Sequence, residues 1–142
     1  MKRREILGGG AAVFAGMTGP AWAQETRPEP WTTLRATAPL PNPVETGHFK
    51  SGDAALYYAV YGKGAPVVFL HPGLGHSDYW ANQIGPFAQT HQVVVTDLRG
   101  HGRSTASAQP LSYRLLAEDL LALTRRLNLK KPSVVGWGDG AV

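Results

Sequence analysis

The feature that most constrains the fold is a series of three short apolar runs separated by segments of helical character. Residues 66–70, 93–95 and 134–135 consist almost entirely of Val, Leu and Phe. Such runs suit strands that are covered on both faces, as in a parallel sheet. Between the second and third runs, leucines recur at spacings of four, three and four residues, at positions 116, 120, 123 and 127. The order strand, helix, strand, helix, strand predicts an α/β fold with a mostly parallel sheet flanked by helices.

Capping residues predict where the helices begin and end. Ser112 can cap the leucine-rich helix, Asn128 can end it in the left-handed conformation, and Pro132 blocks its continuation. For the shorter helix between the first two runs, Ser77 is the predicted cap. Gly85-Pro86 is predicted to interrupt that helix, because proline lacks the backbone N–H that a helix interior needs.

The N-terminal segment predicts export from the cytoplasm. Residues 1–23 combine Lys2-Arg3-Arg4 with a short Gly/Ala-rich apolar stretch and the small-x-small pattern Ala21-Trp22-Ala23. The arginine pair resembles a bacterial twin-arginine signal, so we expect an export machinery as partner and a periplasmic or secreted location. A bilayer span needs about 18 apolar residues, which disfavours a stable membrane anchor here.

Residues 24–46 are predicted to be an extended linker. They contain five prolines and neither periodicity, and proline at this density disfavours helix. The domain proper is predicted over residues 47–142. It opens with a β-hairpin at residues 48–61, whose turn is Ser51-Gly52-Asp53.

Composition excludes several classes of function. The absence of cysteine excludes disulfides, thiolate catalysis and cysteine-zinc sites, and we expect neither a metal nor a cofactor. The formal net charge is +4, and part of it lies in the basic N-terminus. The pairs Arg125-Arg126 and Lys130-Lys131 fall at the end of the leucine-rich helix, where cations complement the helix dipole. We therefore do not expect nucleic acid as a partner.

A loop of unusual sequence follows each apolar run. In an open α/β sheet, ligands bind beyond the carboxyl ends of the strands, so these three loops should share one rim. The first loop is His71-Pro72-Gly73-Leu74-Gly75-His76. The second loop runs from Asp97 to Ser104 with the sequence DLRGHGRS, and the third is Gly136-Trp137-Gly138-Asp139-Gly140.

From Gly47 to Val142, these loops in this order resemble the α/β-hydrolase superfamily. They are most similar to a bacterial group with the motifs His-Gly-Gly-Leu-Gly, Asp-x-Arg-Gly-His-Gly-Arg-Ser and Gly-Trp-Ser-Asp-Gly-Gly. The resemblance implies a serine hydrolase acting on ester, lactone or amide bonds, with a small molecule as the substrate of intact relatives.

The third loop has the frame of a nucleophile elbow with glycine at its centre. In the family this central position is the nucleophile, and here it is Gly138. The sharp turn requires small residues two positions before and after, and Gly136 and Gly140 meet this requirement. An Asp nucleophile at Asp139, of the dehalogenase or epoxide-hydrolase type, would place Trp137 at one of these positions. We therefore expect the nucleophile to be missing and not moved.

The resemblance also implies an oxyanion hole. Its donors would be the backbone N–H groups of Gly73 and Asp139. Pro72 stands where the family usually has glycine, and it has no N–H to donate. His71 belongs to the same motif.

The second loop is interpreted as structural. Gly100 and Gly102 permit a tight path, and Asp97 and Arg99 can brace neighbouring loops through charged hydrogen bonds. Ser104 has no elbow around it, so we do not assign it as a nucleophile.

The order of the family's catalytic residues predicts an inactive chain. The acid and the histidine follow the nucleophile along the chain, and four residues follow Gly138 here. The sequence thus resembles the N-terminal half of the fold, truncated after the elbow strand. Two alternatives stay open. One is a non-catalytic binding module on this fold. The other is a dinucleotide-binding fragment, since Gly136-x-Gly138-x-x-Ala141 matches that fingerprint in form but lacks its helix and its acidic residue.

Overall fold

A mixed five-stranded sheet forms the centre of the unit Ala36–Val142. The computed structural model describes Thr32 and residues 36–142, and the strands and helices given below lie within this unit. The predicted export signal, residues 1–23, and part of the predicted linker, residues 24–31 and 33–35, fall outside the described residues. The strands are β1 (Glu45–Ser51), β2 (Ala54–Tyr61), β3 (Ala65–Leu70), β4 (His91–Thr96) and β5 (Ser133–Gly136).

The order across the sheet is β1-β2-β4-β3-β5. β1 and β2 form the predicted hairpin, and β2 also pairs antiparallel with β4. β3 is central to the parallel part and pairs with β4 on one side and β5 on the other. The α/β class is therefore confirmed, with the opening hairpin as the antiparallel part of the sheet.

Two helices cover the two faces of the sheet. α1 (Ala81–Ala88) follows a 3-10 turn (Ser77–Trp80), and α2 (Tyr113–Arg126) lies between β4 and β5. A second 3-10 turn (Gly138–Ala141) follows β5. The core on the α2 face includes Leu56, Val68, Val94 and Leu123. The core on the α1 face includes Phe69, Ile84 and Val95.

The predicted ends of α2 are confirmed. The Ser112 hydroxyl accepts a hydrogen bond from the Leu115 N–H at 3.2 Å. Asn128 adopts a left-handed φ of 50° just beyond the helix. In the described part of the chain, no helix has the length and hydropathy that a membrane span requires.

Two details of α1 differ from the prediction. Ser77 does not cap the helix, because it lies inside the preceding 3-10 turn and its hydroxyl oxygen accepts a hydrogen bond from the Arg103 guanidinium at 2.8 Å. Pro86 does not interrupt α1, which continues to its end at Ala88. The fully buried Ile84 packs this helix against the sheet, and such tertiary packing outweighs a single lost helical hydrogen bond.

β5 is formed as predicted, but it is not a buried strand. Val134 is 49% exposed and Val135 is 38% exposed, because β5 lies at the edge of the sheet. The expected burial on both faces therefore applies to β3 and β4 but not to β5.

Three parallel strands end level with one another. Leu70 at the end of β3 pairs with Thr96 of β4 on one side and with Gly136 of β5 on the other. The chain moves from β3 to β4 and then back past β3 to β5, which creates a topological switch point. The expectation that the three loops begin at one rim is confirmed.

Candidate active site

The third loop has the backbone of an elbow centred on Gly138. Gly138 has a φ of +54°, in the left-handed region that favours glycine. A Cβ on Gly136 would overlap the carbonyl oxygen of Gly140, and a Cβ on Gly140 would overlap the carbonyl of Leu70. The backbone around position 138 therefore requires glycine two residues before it and two residues after it.

This packing identifies position 138 as the apex of the turn. Trp137 N–H donates to Leu70 O at 3.2 Å, and Gly140 N–H donates to Trp137 O at 3.1 Å. An elbow centred on Asp139 would place Trp137 in the position that Gly136 holds against Gly140. Trp137 is instead 59% exposed, and its side chain could not fit in that close contact. The apex itself has no side chain, so it offers no group that could attack a carbonyl carbon.

Asp139 connects the elbow to the first loop and to α2. Its Oδ1 accepts a hydrogen bond from Tyr113 Oη at 3.0 Å. Its Oδ2 lies against Gly73, where an added Cβ would overlap it. In this position, the Asp139 side chain occupies the space that a Cβ at position 73 would need, and it brings the two loops of the predicted oxyanion hole together. The same hydrogen bond raises the pKa of Tyr113 above its ordinary value, since it stabilises the neutral phenol.

Two backbone amides remain available at this junction. Within the described residues, the N–H of Gly73 makes no hydrogen bond. The first hydrogen bond of the 3-10 turn is donated by the Gly140 N–H. The N–H of Asp139 lies one residue earlier and has no partner in the turn. Free donors of this kind are what an oxyanion hole needs. Their role in catalysis stays a prediction.

His71 is a buried brace between the first and second loops. It is fully buried, and its Nε2 accepts a hydrogen bond from the Leu98 N–H at 2.8 Å. Its Nδ1 must then carry the proton, which it donates to Pro72 O at 2.7 Å. Burial lowers the pKa of His71 below its ordinary value. A neutral imidazole with both nitrogens engaged holds the loops and is not free to act as a base.

Asp97 organises the second loop from inside the protein. Its side chain is fully buried, and its Oδ1 accepts a hydrogen bond from the Ser77 N–H at 2.8 Å. Its Oδ2 accepts two hydrogen bonds from Arg103, one from the side-chain Nε at 2.7 Å and one from the backbone N–H at 2.8 Å. Burial alone would raise the pKa of Asp97, but the hydrogen bonds from Arg103 and Ser77 hold it far below its ordinary value. Gly102, with a φ of +50°, lies where a Cβ would overlap the Asp97 carboxylate.

Arg99 braces a different region. Its guanidinium donates to both carboxylate oxygens of Asp119, at 2.7 and 3.0 Å. It also donates to Asp53 Oδ1 at 2.8 Å and to Ser51 O at 2.9 Å, in the β1–β2 turn. The hydrogen bonds to Asp119 raise the pKa of Arg99 above its ordinary value. The structural interpretation of Asp97 and Arg99 thus agrees with their contacts, and Arg99 is not part of the elbow.

Several partners in these networks carry no signal in the sequence. Tyr113 and Asp119 are separated from their partners by 26 and 20 residues, which is no recognisable spacing. Arg103 lies in the second motif, and its guanidinium carbon lies 3.8 Å from the centre of the Tyr57 ring. Gly100 has a φ of +73°, and a Cβ added to it would make only ordinary contacts with Ala106, so its backbone conformation is the reason for glycine.

A cavity lies beside Asp139. Its volume is about 360 Å³, and it is lined by Leu98, His101, Leu111, Ser112, Tyr113, Leu116 and Asp139. His101 Nδ1 is bonded to the Arg99 carbonyl at 2.9 Å. In residues 36–142, no group of three or more His, Asp or Glu side chains is placed to hold a metal ion.

Comparison with known proteins gives the same family as the motifs. A family model described as the alpha/beta hydrolase fold matches residues 65–139, which is more than half of the chain. An Azorhizobium caulinodans protein described as a candidate carbamate hydrolase, RutD, is 32% identical over 91 residues, or 64% of this chain and 34% of that protein. The 3-oxoadipate enol-lactonase 2 of Acinetobacter baylyi is 31% identical over 101 residues, or 67% of this chain and 38% of the lactonase.

Solved structures agree in fold. The structure of Est816, described as an N-acyl homoserine lactone degrading enzyme, matches with a TM-score of 0.64 and 39% identity. The match covers 66% of this chain and 36% of Est816. The chain thus spans about a third of the length of these relatives. The sheet, the three loops on one rim and the family match together confirm that this chain belongs to the α/β-hydrolase family.

Proposed function

We propose that this chain provides the rim, the elbow and the oxyanion donors of an α/β hydrolase without a covalent nucleophile. The observation that carries the proposal is glycine at the apex of the elbow, with a φ of +54° and glycine-only packing at positions 136 and 140. A serine hydrolase needs a hydroxyl at this point, activated by a neighbouring base. The chain as written is therefore expected to form no acyl-enzyme.

The substrate class is proposed from the relatives. Their names describe a carbamate hydrolase, an enol-lactonase and a lactone-degrading enzyme. The bonds in question share a carbonyl group whose oxygen becomes negatively charged during hydrolysis. The free amides of Gly73 and Asp139 support recognition of such a carbonyl oxygen.

Labelling with a fluorophosphonate probe, together with hydrolysis of a short-chain ester, tests the proposal on the full 142-residue chain. Neither labelling nor ester hydrolysis above the buffer rate is expected for the unmutated chain. Gly138→Ser is also expected to remain unlabelled, because His71 is neutral and fully engaged and returning one member of a triad recovers almost nothing. Est816 is the positive control. Stoichiometric labelling of the unmutated chain would contradict the proposal.

A second candidate function is non-covalent binding of a small carbonyl compound. The cavity of about 360 Å³ favours it, because leucines form its apolar wall and Tyr113 and Asp139 supply polar groups. Calorimetric titration with an N-acyl homoserine lactone is expected to show binding, and Leu111→Asp is expected to weaken it. No heat of binding at millimolar ligand, or equal binding by Leu111→Asp, would count against binding at this site.

We also propose that residues 1–23 direct export by the twin-arginine route. The basic start, the apolar stretch and the Ala21-Trp22-Ala23 pattern support this proposal. Fusion of these residues to a stable reporter should deliver it to the periplasm. Replacing Arg3-Arg4 by Lys-Lys should abolish delivery, and unchanged delivery would indicate a general secretory signal instead.

A further inference from the structure

The first loop and the elbow differ from the family motif at two positions that face each other. Pro72 replaces the usual glycine of the first loop, and Gly138 replaces the nucleophile. A Cβ built on Gly138 would lie 3.1 Å from the Cβ and 3.5 Å from the Cα of Pro72. Carbon atoms normally approach to about 3.5–4.0 Å. We infer that Pro72 restricts position 138 to glycine, and that it is the residue which determines that this elbow carries no side chain.

Pro72 is held in place and cannot easily give way. Its carbonyl oxygen accepts hydrogen bonds from the Gly75 N–H at 3.2 Å and from His71 Nδ1 at 2.7 Å. His71 is itself fixed from its other side by the Leu98 N–H. The proline ring also fixes the backbone φ of this residue. A side chain at position 138 would therefore press against an anchored loop.

The elbow itself is closely packed. A Cβ on Gly140 would overlap the carbonyl groups of Leu70 and His71, and a Cβ on Gly136 would overlap the carbonyl of Gly140, so these backbone segments are already in close contact and leave the apex little room to shift. The positive φ at Gly138 adds a further cost for any residue with a Cβ.

The two departures from the motif are thus one structural change. Pro72 removes the N–H at its own position and occupies the space beside the apex, so a serine restored at position 138 would bring its Cβ to 3.1 Å from the Cβ of Pro72. This steric pairing deepens the proposed function, but it concerns stability. The stability measurements can show that Pro72 does not restrict position 138 even if the chain lacks a nucleophile, so failure of this inference is distinguishable from failure of the proposed function.

The experiment measures the cost of Gly138→Ala in three backgrounds of the full chain: unmutated, Pro72→Ala and Pro72→Gly. Pro72→Ala keeps the Cβ that makes the contact and loses the ring, whereas Pro72→Gly removes the Cβ. Gly52→Ala is the matched control for backbone strain, because Gly52 has a φ of +59° and no atom within 4 Å of its added Cβ.

We expect Gly138→Ala to lower the unfolding midpoint more than Gly52→Ala does, by an extra 5 °C or so, since about 1 kcal/mol shifts a domain of this size by about 4–8 °C. This excess should persist with Pro72→Ala and disappear with Pro72→Gly. An equal cost in all three backgrounds, or a cost no larger than that of Gly52→Ala, would overturn the inference.

Where Gly138→Ala gives no cooperative transition, resistance of the soluble protein to thermolysin at low temperature replaces the midpoint. Rapid cleavage with Pro72 or Pro72→Ala and protection with Pro72→Gly would support the pairing. Rapid cleavage of Gly138→Ala in all three backgrounds, with Gly52→Ala protected, would show that the conformation of the elbow alone excludes a side chain and would overturn the role of Pro72.

Discussion

Arg99 connects three parts of the protein through one guanidinium that is only 3% exposed. Arg99 is itself part of the second loop. Its guanidinium forms hydrogen bonds to Asp119 of α2 and to Asp53 and Ser51 at the β1–β2 turn. The planar fork of arginine matches a carboxylate with two parallel hydrogen bonds, which the single ammonium of lysine cannot do. The positive charge alone therefore does not explain why arginine, and not lysine, stands at position 99.

Arg99→Lys is expected to reduce the free energy of unfolding by about 2 to 3 kcal/mol, because it leaves the buried Asp119 incompletely paired. Urea denaturation measures the change. Arg114→Lys is the matched control, since its partner Glu118 lies in an exposed pair, and it should have no measurable effect. Equal effects of the two substitutions would show that the Arg99 network does not stabilise the fold.

His71 predicts how stability depends on pH. Burial lowers its pKa in the folded state below the ordinary value of 6.5, so the unfolded chain binds the proton more readily. The contribution of His71 to the free energy of unfolding is therefore fully present above about pH 6.5. It decreases as the pH falls below that value and stops changing below the lower folded pKa. Asp97 does not interfere in this window, because its folded pKa is lowered from an ordinary value of 3.8, so its contribution to stability is lost as the pH falls through about 4 and below.

His71→Gln should flatten the dependence of unfolding free energy on pH between about 7 and 5, because glutamine can accept the Leu98 hydrogen bond but does not titrate. Urea denaturation at a series of pH values provides the curves. A slope that persists unchanged in His71→Gln would assign the titration to another histidine.

At the scale of residues, the sequence predicted those positions whose requirement is local. Gly136 and Gly140 followed from the geometry of one turn, and their backbone packing agrees. The bond from Tyr113 to Asp139 could not be predicted, because it depends on how α2 lies against the elbow. Pro72 was recognised only as a residue without an N–H, since its distance to Gly138 exists only in the folded chain.

The two helices differ in how far local sequence determines them. α2 begins and ends at the residues that its caps predict, because Ser112 and Asn128 act on their own neighbouring backbone. α1 does not follow its local signals. The Ser77 hydroxyl accepts a hydrogen bond from Arg103, 26 residues away, and Pro86 lies within a helix that the buried Ile84 packs against the sheet. Tertiary contacts therefore replaced the predicted cap.

Ser112→Ala is expected to destabilise the protein by about 1 kcal/mol, because the Leu115 N–H loses the oxygen that caps it. Ser112→Asp should retain most of the stability, since aspartate caps well and its charge favours the helix N-terminus. Thermal unfolding followed by circular dichroism compares the three proteins. A neutral Ser112→Ala would mean that solvent caps α2 equally well.

The whole sheet has two edges of different character. β1 carries Glu45, His48 and Lys50, and charged residues on an edge strand discourage pairing with other chains. β5 at the other edge exposes Val134 and Val135 and carries no charged residue. The apolar run predicts a strand of a parallel sheet, whereas the pairing of β5 with β3 and its position at an edge depend on the order of all five strands.

Concentration-dependent association of this chain is expected through β5. Val134→Lys should shift sedimentation toward the monomer, because a charge on the open strand opposes edge-to-edge pairing. Val44→Lys is the matched control, since Val44 is 73% exposed beside the opposite edge of the sheet. Equal association of both variants and the unmutated chain would exclude β5 as the contact.

The hydrogen bond between Leu98 and His71 has a practical consequence. The Leu98 amide is closed off from solvent by an imidazole that belongs to another loop, so its proton can exchange with deuterated water only when the two loops separate. The hydrogen-exchange rate of this single amide therefore measures how often the first and second loops separate. It can be read by NMR without any substrate.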